Sequence, residues 1–271
     1  MEWNSKSIGV RWFNDACYKI RLPNGKVILV DPYIDSSPLK KLGSDALTQV
    51  DYVFISHTHF DHVLDLDRVM SKFNPQVYVG CLGAVELAKQ FDICGGQMNL
   101  CYPGETYMLD GATLTCLRGK HTSLGDLDKP SHWKANIEQE NLPAEHEKMN
   151  MIGSYEYTNY LLMLPGNLKF LIWGGGATLD AIAQIGKLTP NISIIQLPRE
   201  PVEKVAQLYA AAGGQVIFPH HHDSFLSKGP EGKAVIDATV EKTKQLAPDT
   251  SVVLPEKGEW YEFSTSLKLC K

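Results

Sequence analysis

Hydrophobic and polar positions along the chain fall into short extended runs that alternate with helical ones. "KVILVD" (26–31), "DYVFIS" (51–56), "QVYVG" (76–80), "ATLTCL" (112–117), "YLLML" (160–164), "LKFLIW" (168–173), "ISIIQL" (192–197), "QVIFP" (215–219) and "SVVL" (251–254) are rich in β-branched and aromatic residues and predict strands. Between them, "GAVELAKQF" (83–91), "ATLDAIAQIGKL" (177–188), "EPVEKVAQLYAAAGG" (200–214) and "GKAVIDATVEKTKQLA" (232–247) carry apolar residues at helical spacing. The last two stop at Gly213 and just before Pro248, as helices do. This alternation predicts an α/β layered domain.

One stretch breaks the rhythm. Residues 123–154, "SLGDLDKPSHWKANIEQENLPAEHEKMNMIGS", are polar, hold two prolines and show no clean period. The expectation is an inserted loop over one edge of the core, placed to close a substrate pocket. His132, Trp133 and His146 within it are potential substrate contacts, although solvated loop residues are the commoner case.

The densest chemistry lies in "ISHTHFDH" (55–62). His57, His59, Asp61 and His62 fall within six positions, directly after a strand and ahead of the helix-like "VLDLDRVMSKF". A turn at the carboxyl end of a strand fans such side chains in several directions, where α/β sheets open their ligand crevices. Imidazole and carboxylate bind Zn²⁺ and similar ions at about 2.0–2.2 Å, and burying so many titratable groups without a partner is costly. A metal site is the expectation.

Composition narrows the remainder. The chain has 271 residues, 44% of them hydrophobic, enough for one compact domain spanning 1–271 with an insertion. Its net charge is −5, from 31 acidic and 26 basic residues, and no Lys/Arg run provides a footprint for nucleic acid. A few local basic side chains could still bind one phosphate. The start, "MEWNSKSIGVRWFND", lacks the apolar core of a secretory signal, and no stretch reaches the 18 or so apolar residues of a membrane helix. A cytoplasmic protein with no membrane partner is expected, and homo-oligomers are compatible with it. Cys17, Cys81, Cys94, Cys101, Cys116 and Cys270 form no C-x-x-C pair and are expected as reduced thiols.

"HTHFDH" matches the H-x-H-x-D-H signature of the metallo-β-lactamase-fold hydrolases. The chain most resembles the branch containing ascorbate-6-phosphate lactonase and related small metal-dependent hydrolases. "VILVDPYID" (27–35) is similar to the early "DP" strand of that branch, and "PHHHDSF" (219–225) to its late P-x-H-x-D-x-F strand end. The resemblance implies a four-layer αβ/βα sandwich with a two-metal site along the shared edge of its sheets. One metal would take His57, His59 and His121, which follows the extended run "ATLTCLRGK"; the other would take Asp61, His62 and a histidine of the trio 220–222. Aligning Asp223 and Phe225 with the D-x-F places that ligand at His221, while a one-residue slip would move it to His220 or His222.

The departure from the family comes at "FLIWGGGATLD" (170–180), where Gly175 stands at the place of the acid that bridges the two metals. Without it, two dications ~4 Å apart repel by on the order of 16 kcal/mol at an effective dielectric of ~20. One site could then be weakly filled, or Asp180, a hydroxide or a substrate anion could stand in. Gly174, Gly175 and Gly176 do not make a G-x-G-x-x-G dinucleotide motif, but at a helix entrance their N–H groups would form an anion cradle.

The implied activity is hydrolysis of a small ester, lactone or phosphoester, plain or phosphorylated, by a metal-activated water, with Asp61 orienting that water and taking its proton. One or two divalent ions are implied, zinc or manganese first and iron or nickel next. A degenerate relative that binds a metal or small ligand without turnover is the other reading. Antibiotic hydrolysis is disfavoured.

Overall fold

The computed structural model describes residues 7–122 and 129–264. The chain opens with β1 (Ser7–Asn14) and β2 (Cys17–Arg21), followed by β3 (Val27–Val30), β4 (Tyr52–Ile55), a single turn α1 (Phe60–Val63), α2 (Leu66–Phe73), β5 (Gln76–Gly80), α3 (Cys81–Gln90) and β6 (Met98–Cys101). A second series runs β7 (Thr106–Leu109), β8 (Ala112–Gly119), α4 (Pro130–Gln139), α5 (Glu145–Tyr155), β9 (Tyr157–Leu164), β10 (Leu168–Trp173), α6 (Leu179–Ile185), β11 (Ile192–Gln196), α7 (Val202–Ala212), β12 (Val216–His220), α8 (Asp223–Leu226), α9 (Pro230–Leu246) and β13 (Ser251–Val252). The last strand, β14 (Trp260–Ser264), crosses back to pair with β1.

Among the described residues the strands form two seven-stranded sheets, ordered β14-β1-β2-β3-β4-β5-β6 and β13-β12-β11-β10-β9-β8-β7. Each is antiparallel on one side and parallel on the other, the change falling at β3 in the first sheet and β10 in the second. The sheets pack face to face through Val10, Trp12, Tyr18, Ile20 and Phe54 against Leu114, Leu162, Phe170, Ile194 and Phe218. A second core lies outside the first sheet, where Leu29, Val53 and Ile55 meet Val69 and Leu87 of α2 and α3. A third lies outside the second sheet, where Leu171, Ile195 and Ile217 meet Val205, Tyr209 and Ile236 of α7 and α9. This is the αβ/βα sandwich. It also accounts for the unbroken apolar runs: β4 and β10 are covered on both faces, so neither alternates.

The inserted segment differs from the loop expected of it. Its first residues, 123–128, lie outside the described ones; the remainder is the two helices α4 and α5, which pack on each other. The buried stripe of α5 is His146, Met149, Asn150 and Gly153, helically spaced but mostly not hydrophobic, so a hydropathy scan passes over it. Strands β1, β2 and β14 were also absent from the pattern, because Arg11, Lys19, Arg21 and Glu262 interrupt their apolar positions. Cys17, Cys81, Cys94, Cys101 and Cys116 carry free thiols, and Cys270 is outside the described residues. Among the described residues no helix is long and apolar enough to cross a membrane.

Candidate metal centre

Four strand ends converge at one edge of the sandwich. β4 delivers Ser56 and His57, β8 leads to His121, β10 ends at Gly174, and β12 runs into His221. The side chains form two groups, His57 with His59 and His121, and Asp61 with His62 and His221; within each group the potential ligand atoms lie within 4.8 Å of one another. The groups adjoin, since the His57 and His62 rings are 3.9 Å apart.

The surrounding hydrogen bonds fix which nitrogen each ring presents. Asp31, buried on β3's exit, accepts Ser56 N–H at 2.7 Å, the Ser56 hydroxyl at 2.7 Å and His62 Nδ1–H at 2.8 Å. With its proton committed to Asp31, the Ser56 hydroxyl accepts from His57 Nδ1 at 3.0 Å. Both rings therefore carry their lone pairs on Nε2. The Ser154 hydroxyl donates to the Asn150 carbonyl and accepts from His59 Nε2 at 3.2 Å, so His59 offers Nδ1. His121 donates Nδ1–H to the Thr122 carbonyl at 2.7 Å, which puts its lone pair on Nε2. Partners of this kind orient ligating imidazoles and raise their basicity.

Two observations test whether these residues suit a cation. His57 Nε2 is buried without a hydrogen-bond partner, and a buried lone pair left so costs free energy unless something electropositive meets it. His62 Nε2 and His221 Nε2 face each other at 3.2 Å, although His62 has already given its proton to Asp31. Facing lone pairs repel unless a proton or a cation lies between them. The donor set, five imidazoles and Asp61, suits a divalent transition ion.

Burial, reinforced by the neighbouring imidazoles of His62, His59 and His121, holds His57 well below the usual imidazole range; His59 is held down likewise, by burial first and then by His121. Both are neutral and able to ligate at neutral pH. His221 goes the other way: burial opposes its charge, but the Asp15 carboxylate, 3.7 Å from Nδ1, together with Asp61 outweighs it and raises His221 to about 9. Asp15 was not singled out by the sequence. It sits in the β1–β2 turn, and its backbone carbonyl accepts His221 N–H at 3.0 Å. Asp15, Asp31 and His221 have φ of 42°, 44° and 58°, the left-handed region that Asp and His enter more readily than most non-glycine residues.

The other members of the histidine trio hold the fold. His220 donates Nε2–H to the Trp173 carbonyl at 3.0 Å, and His222 donates Nδ1–H to the Pro219 carbonyl at 2.9 Å while packing on Trp12. Of the insertion residues, Trp133 is buried with its ring 4.5 Å from that of His59, and His132 lines the cavity. His146 is buried on α5 and lines no part of the cavity.

The glycine run leaves no room for a bridging acid. Gly175 has φ +96°, and a Cβ there would meet the Lys120 carbonyl oxygen at 2.1 Å, so no side chain fits where the bridging acid would stand. As an anion cradle the run is largely spent, because side chains already take most of the N–H groups there: Gly174 N–H goes to Asn159 Oδ1, Gly175 N–H to Gln196 Oε1 and the following Ala177 N–H to Glu200 Oε1. Asp180 is exposed on α6 and does not line the cavity, so it does not stand in as the bridge. Among the described residues, Asp61 is the sole carboxylate in either group.

Comparison with known proteins agrees with this geometry. A family model described as the metallo-beta-lactamase superfamily matches residues 10–100, the stretch carrying the H-x-H-x-D-H turn. Over that stretch the chain is similar to the metallo-β-lactamase superfamily. The chain is 23% identical over 257 residues to a protein of Myxococcus xanthus named a UPF0173 metal-dependent hydrolase, covering 92% of this chain and 81% of that protein. Its fold is similar to Igni18, a metallo hydrolase of Ignicoccus hospitalis, with a TM-score of 0.69 and 18% identity over 96% of this chain and 100% of the other. It is also similar to CmlA, a diiron beta-hydroxylase of Streptomyces venezuelae, with a TM-score of 0.64 and 13% identity over 98% of this chain and 55% of that one. Proteins of similar fold thus carry more than one chemistry, and the reaction has to be argued from this site.

Proposed function

We propose that the chain is a metal-dependent hydrolase of a small ester, lactone or phosphoester, with His57, His59 and His121 holding one divalent ion and Asp61, His62 and His221 a second. The observation that carries this reading is the unpartnered, buried His57 Nε2 opening onto a cavity of about 490 Å³ that contains all six side chains. A divalent ion bound there supplies Lewis acidity and lowers the pKa of water toward 7. The names of the curated relatives support the same reaction class.

The protein's own residues divide the remaining work. Asp61 lines the cavity beside His62 and is its most accessible ligand carboxylate, placed to orient the attacking water and accept its proton. Tyr33, Phe60, Trp133 and Leu197 form an apolar part of its wall, against which the substrate's carbon skeleton would pack. Arg199, exposed on the rim, favours a substrate bearing a carboxylate or phosphate. Zinc or manganese fits the mixed imidazole and carboxylate donors, and a cytoplasmic chain acting on a diffusible small molecule, alone or as a homo-oligomer, fits the same reading.

The test is metal content together with hydrolysis. Purified protein is expected to carry one to two equivalents of a divalent transition ion and to hydrolyse at least one member of a panel of lactones, phosphodiesters and sugar-phosphate esters, with His59→Ala at least 10²-fold slower. A folded chain that binds metal but turns over nothing in such a panel would favour a binding protein instead.

A further inference from the structure

A second cavity, of about 870 Å³, lies on the outer face of the first sheet and shares no lining residue with the metal centre. It sits where β14, β1 and β2 pair. The cross-strand register sets Trp260, Arg11 and Lys19 in one row and Glu262, Gly9 and Arg21 in the next. Three cations, Arg11, Lys19 and Arg21, therefore project from the same face, with Arg11 and Lys19 directly opposite one another. Like charges so placed destabilise a sheet.

The compensation is incomplete. Glu262 bonds Arg21 at 2.7 Å, and Arg11 donates Nε–H to the Gly258 carbonyl. Lys19 is 4% exposed, and among the described residues its ammonium has no hydrogen-bond acceptor and no carboxylate partner, only the Trp260 ring at 5.9 Å. Burial, then the charges of Arg11, Arg21 and Lys72, lowers its pKa to about 8. A lysine whose stem is packed away while it lines a cavity without a counter-ion is open to an anionic partner there.

The cavity has a built floor. A Cβ on Gly9 would come within 2.9 Å of the Trp260 ring and 3.1 Å of an Arg21 nitrogen, so glycine is the residue that lets both lie flat across β1. The guanidinium carbons of Arg21 and Arg11 stand 4.9 and 5.7 Å from the ring centroid. Trp260 thereby holds the cations in place while the cavity stays open.

We propose that this cavity is a binding site for a phosphate-bearing small molecule, with Lys19 and Arg11 taking the phosphoryl oxygens, separate from the metal centre. The volume is within the range of pockets that hold small ligands and larger than one phosphate needs, so the ligand is a phosphorylated organic compound. A guanidinium and an ammonium lining one cavity, each within 6 Å of the same indole ring, suit that charge.

The experiment is calorimetric titration of the full-length, metal-loaded protein with inorganic phosphate, pyrophosphate and glucose 6-phosphate at matched ionic strength, beside vesicles of phosphatidylcholine with and without a phosphoinositide. Saturable binding of pyrophosphate or glucose 6-phosphate is expected in wild type and in His59→Ala. At least a tenfold loss is expected in both Lys19→Met and Arg11→Gln, each checked for a wild-type circular dichroism spectrum. Vesicle capture that pyrophosphate competes away would identify a lipid headgroup as the source of the phosphate; solution binding alone would identify a free metabolite. The proposal is overturned if none of these ligands binds, or if binding survives both cation variants or disappears in His59→Ala.

Discussion

Replacing Asp31 by Asn isolates the part played by the buried hydrogen bonds behind the metal ligands. The carboxylate is 2% exposed and accepts from three donors, Ser56 N–H, Ser56 Oγ–H and His62 Nδ1–H. An amide of the same shape has one acceptor and one donor. Turned with its oxygen toward His62, it sets two donors, its own NH₂ and Ser56 N–H, against each other, at about 1–3 kcal/mol for the unsatisfied pair. Turned the other way it donates to His62 Nδ1, which moves the ring proton to Nε2, the nitrogen that would ligate. Imidazole tautomers are close in energy, so the second arrangement wins. The loss then appears in metal affinity, a fall of about 10–100-fold, or about 1.4–2.7 kcal/mol, for the ion held by Asp61, His62 and His221. Competition titration against a chromophoric chelator measures it, with a urea melt of the metal-free protein expected to move by about 1 kcal/mol or less. Two equivalents bound by Asp31→Asn with wild-type affinity would refute the assignment of His62 Nε2 as a ligand atom.

Gly175→Ala places a Cβ 2.1 Å from a backbone oxygen at φ +96°, so a loss of at least about 3 kcal/mol is expected in chemical denaturation; a change below about 0.5 kcal/mol would show that the β10 exit can relax. Metal-free protein is expected to be most stable near pH 7. Burial holds His57, His59, His220 and His222 below their unfolded pKa of about 6.5, so the unfolded chain binds more protons and stability falls on acidification, by about 3 kcal/mol from His222 alone as pH approaches its folded value of about 4. His221, raised to about 9, works in the opposite sense: its contribution is present below pH 6.5 and is lost as pH rises through 9. Urea midpoints in chelator between pH 4.5 and 9.5 would trace this dome, and a flat profile from 4.5 to 6.5 contradicts the burial argument.

The elements covered on both faces were legible because packing left their sequence no polar position to lose: β4, β5, β10 and β11 announce themselves as apolar runs. The candidate ligands His57, His59 and His62 were legible because their chemistry crowds into one turn. What escaped was carried by residues with two duties. Arg11, Lys19 and Arg21 sit in genuine strands but line a cavity instead of packing under one of the described helices, and α5 builds its buried stripe largely from His146, Asn150 and Gly153. Asp15 and Ser56 act through position alone, one in a turn and the other at a strand end, and nothing in their neighbours' spacing marks either as a partner of a ligand. Gly175 was noticed as a departure, but only the nearby Lys120 carbonyl explains why no side chain could stand there.

The segment between β8 and β9 does more than roof the cavity. Met149 O accepts the Thr58 hydroxyl, Asn150 Oδ1 accepts Phe60 N–H, and Ser154 meets His59, so α5 grips three successive residues of the H-x-H turn about ninety positions upstream. On the proposed assignment, the piece of chain that borders the cavity is also the clamp on one of the ligating imidazoles. A different lid grafted here to admit another guest would then disturb His59 as well, so a change of guest and a change of metal affinity are expected to come together.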